Sequence, residues 1–186
     1  YDLVPRRSVK AVEFRGDVRV SPGELRREVT DRSGDSPPAA RAEEMARALE
    51  GFYHDRGFLR ASVNPRMEAA AGGRHSTLVF DVAAGERTLV STLEVQGAPD
   101  GLVAPVQQRL GLREGGPFDP GDLRSRIARY TDDLRARGYV EARVEFDIAY
   151  SADRSTADLV VRMSRGPRVR LVFRGDPLPE SRRDEA

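Results

Sequence analysis

The sequence predicts an α+β protein made of two tandem β-α-α-β-β domains, each a three-stranded mixed sheet with two helices on one face. Two observations lead to this prediction. An alternating apolar strand that closes on a glycine occurs three times, at Gly16, Gly97 and Gly175. The first two copies lie 81 residues apart (Gly16 to Gly97), and apolar positions recur at that offset through both units. Self-similarity at a fixed period is typical of repeat proteins.

The repeat divides the 186-residue chain into four segments. Unit one is predicted to cover 6–85 and unit two 86–167. The segment 1–5 is interpreted as the tail of an upstream unit, and 168–186 as the first strand of a third unit or a C-terminal tail. A unit of about 80 residues only just offsets its chain entropy, so packing against a neighbour would stabilise it.

The helices of unit one are predicted from their end signals. Ser21-Pro22-Gly23-Glu24 has a capping serine, a proline at the first helical position and a glutamate three residues after the cap. An apolar stripe then predicts a second helix over about 39–56. Gly57 followed by Phe58 predicts a Schellman-type end, in which the glycine is left-handed and the aromatic ring packs back on the last turn.

Unit two repeats these signals at the same offset. Asp119 before a proline predicts the start of its second helix, and Gly138 before a tyrosine predicts the end. Each unit closes with two strands, around 61–69 and 77–82 in unit one. The later strand has the denser apolar run and is predicted to be central, which leaves the first and second strands as sheet edges.

Composition disfavours several classes of function. The chain has 31 basic and 30 acidic residues and a formal net charge of +1, without the basic excess of dedicated nucleic-acid or membrane-surface proteins. It has no cysteine, hence no disulfide and no thiolate site. His54 and His75 are the only histidines, and neither has ligands at metal-binding spacing. We therefore predict no metal, no cofactor and no catalytic residue.

Three local motifs accompany the repeated element order. The first strand of unit two, 90–97, has the pattern Val-x-x-Leu-x-Val-x-Gly. The second helices end in Arg-Gly-Phe at 56–58 and Arg-Gly-Tyr at 137–139, and unit two leads into the next strand through Gly166-Pro167-Arg168. This ordered set, repeated in register over about 6–175, resembles tandem polypeptide-transport-associated (POTRA) domains.

The resemblance implies a protein-binding module and not an enzyme. Such domains form the periplasmic, soluble part of outer-membrane assembly and translocation proteins whose C-terminal half is a membrane β-barrel. The expected partners are unfolded outer-membrane client chains, accessory lipoproteins and periplasmic chaperones, with no cofactor and no nucleic acid. Clients are expected to bind in part by adding a strand to an open sheet edge, where unpaired N–H and C=O groups accept any extended chain.

One edge is predicted to be more receptive than the other. Pro65 lies inside the second strand of unit one and removes a ladder donor there. Its counterpart in unit two is Phe146, in a strand without proline. The predicted docking edge consists of Val144, Glu145, Phe146, Asp147, Ile148, Ala149 and Tyr150. The alternative is that this strand is a half-buried core element with an idle edge.

Arginines recur at the start of each unit, and glycines at its turns. Arg6, Arg87 and Arg168, with Gly85 and Gly166, are predicted to form the inter-unit junctions, each arginine pairing with an acid of the next unit. An exposed arginine without a defined partner is the alternative. The predicted structural glycines are Gly16, Gly57, Gly97, Gly138 and Gly175.

Two other classes of function remain as alternatives. A cell-division or envelope scaffold uses the same type of domain singly, and the tandem copies make it less favoured. A small αβ nucleic-acid-binding array would need a Gly-x-x-Gly clamp, or aromatic residues on the sheet with basic surroundings, and the sequence has neither.

Overall fold

The structure, a computed structural model, describes residues 8–34, 38–69, 75–99 and 101–170. In chain order the elements are β1 (Ser8–Asp17), α1 (Pro22–Ser33), α2 (Ala42–Asp55), β2 (Ser62–Ala69), β3 (His75–Ala83), β4 (Leu89–Gln96), α3 (Val103–Leu110), α4 (Pro120–Ala136), β5 (Arg143–Tyr150) and β6 (Thr156–Ser164). The order β-α-α-β-β occurs twice, as predicted. Within these ranges no helix combines the length and the apolar character needed to cross a bilayer.

The two sheets have the same topology. Their strand orders are β1-β3-β2 and β4-β6-β5. The first strand of each unit runs parallel to the central strand and the second runs antiparallel to it, so both sheets are mixed. The predicted central strands are confirmed. Even the register shift in the first strand is repeated, between Val9 and Ala11 in unit one and between Val90 and Thr92 in unit two.

Each unit has its own core between the helices and one face of the sheet. In unit one the buried faces of both helices meet the central strand, where Phe80 is fully buried and its ring stacks on Phe14 at a centroid distance of 5.8 Å. In unit two Leu123 and Ile127 of α4 belong to the corresponding buried cluster, together with Leu159 of β6. The α+β fold with helices on one face is confirmed.

The helix ends follow local chemistry. The Ser21 hydroxyl accepts a hydrogen bond from the Glu24 N–H at 3.2 Å, and the Asp119 carboxylate accepts one from the Asp122 N–H at 2.9 Å. These bonds satisfy backbone donors that the first turn of a helix leaves unpaired. The predicted second helix of unit one is shorter than 39–56, because its first three residues form a 3-10 turn before α2.

An ion pair on the outer face of each sheet joins the second strand to the central strand. In unit one Arg66 on β2 pairs with Asp81 on β3. In unit two the same two positions are occupied by Asp147 on β5 and Arg162 on β6, which also pair. The repeat thus keeps the ion pair with its charges exchanged.

Tyr53 connects the last turn of α2 to the loop after β1. The side chain is fully buried, and its hydroxyl donates a hydrogen bond to the Val18 carbonyl at 2.6 Å. Burial, and then the charge of Asp17, raise the pKa of Tyr53 to about 12 from its ordinary value of 10.0. Since folding favours the protonated phenol, this contribution to stability is complete below pH 10 and is lost as the pH rises towards 12.

We therefore expect alkaline pH to destabilise the wild-type protein more than Tyr53→Phe. Urea denaturation at several values between about pH 9 and about pH 11 should show a steeper fall in the free energy of unfolding for the wild type, because only its buried phenol must ionise. At neutral pH the variant should lose about 1 kcal/mol with the hydrogen bond to Val18. Parallel pH curves for the two proteins would contradict this.

Candidate docking edge and inter-unit junction

The residues of the predicted docking edge lie together on β5, at one border of the unit-two sheet. β5 pairs with β6 on one side only, in the order β4-β6-β5. Its register runs from Val144 opposite Met163 to Tyr150 opposite Ala157. In the described part of the chain no strand pairs with its other side, so a row of backbone N–H and C=O groups faces outward there.

The side chains of β5 alternate between core and solvent. Val144 is buried, and Phe146 and Ile148 are half-buried against the unit-two core, whereas Glu145 and Asp147 are exposed. At the end of the strand, Tyr150 is 43% exposed, and Ala149 is exposed as well. Partial burial raises the pKa of Tyr150. Most apolar side chains of β5 are therefore engaged by its own core, and the feature left for a partner is the backbone.

A side-chain hydrogen bond indicates which backbone groups of the second strand face outward. The Val63 N–H donates to the Glu50 carboxylate at 3.0 Å, so it points away from β3. Alternate residues of an antiparallel strand direct their backbone groups to the same side. The nitrogen of Pro65 therefore also lies on the outer side of β2, where it supplies no donor.

Unit two has donors at the same outer positions. By the repeat offset, Val144 and Phe146 correspond to Val63 and Pro65, so their N–H groups face the open edge of β5. The counterpart of Glu50 is Thr131, whose hydroxyl donates to the Ile127 carbonyl at 2.9 Å. Among the described residues, no side chain accepts a hydrogen bond from the Val144 N–H as Glu50 does from the Val63 N–H. The outer donors of β5 are thus available where those of β2 are capped or missing.

Unit one also has a bridge across the outer face of its sheet. Arg15 on β1 donates two hydrogen bonds to Glu68 on β2, at 2.9 and 3.0 Å, over the central strand. Arg66 first, and then Arg15, hold the pKa of Glu68 below its ordinary value. The corresponding positions in unit two are Gln96 and Ala149, which cannot form an ion pair. The edge strand of unit two is therefore less firmly held by side chains.

The two units meet through backbone hydrogen bonds centred on Thr88. The Thr88 N–H donates to the Gly57 carbonyl of unit one at 2.8 Å, and the Thr88 carbonyl accepts from the Phe118 N–H at 2.8 Å. Thr88 is fully buried, and its hydroxyl donates to the Arg154 carbonyl at 2.7 Å. One extended residue thus connects the C-terminal end of α2 with two loops of unit two.

The backbones of the two units approach closely at Gly57. Gly57 has φ +83°, and a Cβ added to it would lie 1.8 Å from the carbonyl oxygen of Phe118. At a second close approach, a Cβ added to Gly121 would lie 2.9 Å from the carbonyl oxygen of Asp55. Arg124 also pairs with the Asp55 carboxylate at 2.8 Å, although both side chains are exposed and the pair contributes little.

The predicted junction arginines take different positions. Arg6 lies outside the described residues. The Arg87 guanidinium lies 5.2 Å from the ring centre of Phe58 in unit one and 3.4 Å from the Asp119 carboxylate in unit two. The Nε of Arg168 donates to the Arg137 carbonyl at 3.1 Å. Arg87 therefore contacts both units, and its bracing role stays a prediction.

The predicted glycines lie at turns and close contacts. Gly85 and Gly166 precede Arg87 and Arg168, and each has a positive φ. Gly16 and Gly97 end the first strands, where the backbone meets the central strand.

One of the two remaining glycines contacts the segment that follows unit two. Gly138 accepts a hydrogen bond from the Val169 N–H at 2.8 Å, as Gly57 does from Thr88. Gly175 lies outside the described residues.

Sequence reasoning did not find Thr88, Phe118, Gly121 or Asp55 at the junction. The repeat offset aligns equivalent positions within the two units, and it carries no information about which surfaces touch between them. Phe118 gave one usable signal, because an aromatic residue just before a helix cap is a candidate for burial. Within the described ranges, no group of three or more His, Cys, Asp or Glu residues is arranged to hold a metal ion.

The fold and its junction define a tandem α+β repeat. The family model named POTRA, described as surface antigen variable number repeat, matches residues 8–85 and 95–166. The chain therefore belongs to the POTRA family.

Its curated relatives are much longer proteins. The chain is 24% identical to an outer membrane protein assembly factor of Treponema pallidum over 161 residues, 84% of this chain and 19% of that protein. It is 28% identical to the outer membrane protein assembly factor BamA of Nitratidesulfovibrio vulgaris over 140 residues, 70% of this chain and 17% of that protein. The chain thus spans about a fifth of the length of these relatives.

A solved structure shares the fold. BamA from Haemophilus ducreyi lacking POTRA domains 1–3 matches with a TM-score of 0.50 and 17% identity, over 84% of this chain and 29% of that one.

Proposed function

We propose that the chain is a periplasmic docking module for outer-membrane protein assembly, and that the outer edge of β5 receives an extended segment of a client polypeptide. Family membership and the names of the relatives support the general role. The observation that carries the specific mechanism is the open edge of β5. It has outward donors at Val144 and Phe146, whereas the matching edge of unit one is interrupted at Pro65.

The mechanism is strand addition. A client segment pairs its backbone with the outward groups of β5, and this pairing is independent of the client's sequence. Side chains of the client that point towards solvent meet Glu145 and Asp147, which favours segments with basic residues at alternate positions. Such binding requires no cofactor and no covalent step.

The proposed partners are unfolded outer-membrane clients, accessory lipoproteins and periplasmic chaperones. In this proposal the chain belongs to a larger protein anchored by a membrane β-barrel, as the relatives' role in outer-membrane assembly suggests. Binding through backbone groups suits clients that share only an alternating strand pattern.

Phe146→Pro is expected to abolish strand addition while β5 remains paired with β6, because unit one already accommodates proline at the matching place in β2. Phe146→Ala is the matched control, since it removes the same ring and keeps the N–H donor. Hydrogen exchange of β5 amides should slow in the wild type and in Phe146→Ala when a ten-residue alternating strand peptide is added in excess. No slowing should occur in Phe146→Pro.

Two outcomes would count against the proposal. If the β5 amides of the wild type exchange at the same rate with and without the peptide, the edge of β5 does not bind it. Equal protection in Phe146→Pro and Phe146→Ala would show that the peptide binds elsewhere. Circular dichroism of both variants checks that the fold is retained.

A further inference from the structure

A groove on the helical side of unit two combines arginines with aromatic rings. It lies between α3, the C-terminal half of α4 and the segment after β6, and its volume is about 350 Å³. We define the arginine groove by its six polar and aromatic residues: Arg109, Arg137, Arg165, Arg168, Tyr130 and Tyr139. Its floor is apolar, with Val106 and Leu134. None of the described residues that line it is acidic.

Most of the positive charge in the groove lacks a carboxylate partner within the described chain. Arg109 pairs with Asp133 and lies over the Tyr130 ring. The Arg165 guanidinium lies 5.2 Å from the ring centre of Tyr139. Among the described residues, no ion pair involves Arg137, Arg165 or Arg168. One nearby acid is Glu141, whose carboxylate lies beside Gly166.

In unit one, the arginine at the position equivalent to Arg137 is neutralised by a carboxylate. The counterpart of Arg137 is Arg56, which pairs with Glu24 at 3.3 Å. The Ser21 hydroxyl and, next, Arg56 lower the pKa of Glu24. One turn later in α1, Glu28 pairs with Arg32 at 2.8 Å.

In unit two the positions of these two acids hold other residues. Pro105 replaces Glu24 and Arg109 replaces Glu28 at the repeat offset, while Arg137 is kept. A further cation, Arg165, stands where unit one has Ala84. Compared with unit one, the surface in unit two therefore has two fewer carboxylates and two more arginines at these positions, and Asp133 pairs with one of those arginines, Arg109. The excess of positive charge is complementary to an anionic partner.

We propose that the arginine groove binds an acidic segment of a protein partner, with carboxylates on Arg137 and Arg165 and an apolar or aromatic side chain on the floor between the tyrosines. Guanidinium groups bind carboxylates in a bidentate geometry, and desolvation by the neighbouring rings strengthens such pairs. This surface is separate from the open edge of β5. A negative result for acidic-segment binding would therefore leave the proposal of strand addition untouched, and the reverse also holds.

The surroundings favour a peptide over an anionic membrane. The groove is concave, so it admits a narrow chain more readily than a flat surface. Asp132 and Asp133 border an adjoining depression beside Arg109 and Arg129. These acids oppose a broad anionic sheet of lipid headgroups, whereas a short segment at Arg137 and Arg165 meets neither of them. Neither acid lines the groove, and Asp133 is paired with Arg109.

The test uses a peptide that cannot add to a sheet. A fluorescently labelled nonapeptide, Glu-Phe-Pro repeated three times, offers carboxylates and rings, and its prolines prevent strand pairing. We expect the full chain to bind it, with an affinity that falls as the salt concentration is raised.

Two substitutions in the groove should weaken binding of this peptide about tenfold or more. Pro105→Glu supplies the carboxylate that unit one has at Glu24, and Arg165→Glu reverses a charge of the groove. Arg47→Glu, on the exposed face of α2, makes the same charge change elsewhere and should alter affinity less than about twofold.

The other possible results either contradict or support binding of an acidic segment in the arginine groove. Equal binding of the Gln-Phe-Pro nonapeptide, or equal losses in Arg47→Glu and Arg165→Glu, would overturn the proposal. It would also fail if the chain bound phosphatidylglycerol vesicles and not the acidic peptide. Loss of binding in Phe146→Pro would place the peptide on β5 and overturn it as well, whereas wild-type affinity in that variant supports a separate site. Pro105→Glu removes a proline from α3 and is compatible with folding, so its result can be interpreted even if Arg165→Glu proves unstable.

Discussion

Gly57→Ala is expected to lower the free energy of unfolding by roughly 3 kcal/mol and to loosen the contact between the two units. The first part of this cost is local, because an alanine in the left-handed region costs about 1–2 kcal/mol. The second part comes from the neighbour. The new methyl group would lie 1.8 Å from the Phe118 carbonyl oxygen, so the loop of unit two must move away and the hydrogen bond from Thr88 must lengthen.

Gly85→Ala separates these two costs. Gly85 also has a positive φ of +69°, but no heavy atom lies within 4 Å of its added Cβ. It should therefore show the conformational cost alone. Urea denaturation gives the energies, and small-angle scattering gives the spread of inter-unit distances, which should widen only for Gly57→Ala. Equal destabilisation with identical scattering curves would mean that the Gly57–Phe118 contact does not hold the units together.

Phe118→Ala is expected to cost about 3–5 kcal/mol, the usual range for a fully buried phenylalanine. The Phe118 side chain is 0% exposed and belongs to the unit-two core, where its ring centre lies 6.3 Å from that of Tyr150. Because a unit of this size has little stability to spare, the loss should strongly increase opening of unit two. Amide exchange should accelerate most on β6, for example at Leu159.

The matched variant is Phe80→Ala, which removes an equally buried ring from unit one. Its largest effect should fall on β3, with unit two retaining most of its protection. The two variants together test whether each sheet is a separate cooperative unit. If both variants accelerated amide exchange equally in both sheets, the two domains would unfold as one cooperative unit, and the prediction of two separate units would be wrong.

The elements were predictable because their signals are local. Apolar density placed Leu78-Val79-Phe80 in the centre of its sheet, and Ser21 and Asp119 marked helix starts by chemistry that acts within one turn. These features depend on spacing along the chain, which the sequence contains in full.

The surfaces were less predictable because they depend on distance in space. Thr88 could not be recognised as the residue that joins the units, since its partners Gly57 and Phe118 are about 30 residues away in opposite directions. The arginine groove likewise requires α3, α4 and the segment after β6 to converge. For the β5 edge, the sequence supplied the contrast between Pro65 and Phe146, and the structure added the outward direction of the backbone donors.

The exchanged ion pairs on the outer faces of the sheets bear on how the chain avoids misfolding. Tandem domains of similar sequence are prone to swap strands during folding, because each strand fits the neighbouring domain almost as well as its own. If β2 took the place of β5, Arg66 would stand beside Arg162, and if β5 took the place of β2, Asp147 would stand beside Asp81. Like charges on neighbouring strands destabilise a sheet. The reversal of one surface pair therefore gives each second strand a small preference for its own domain, which acts against exchange between the two copies.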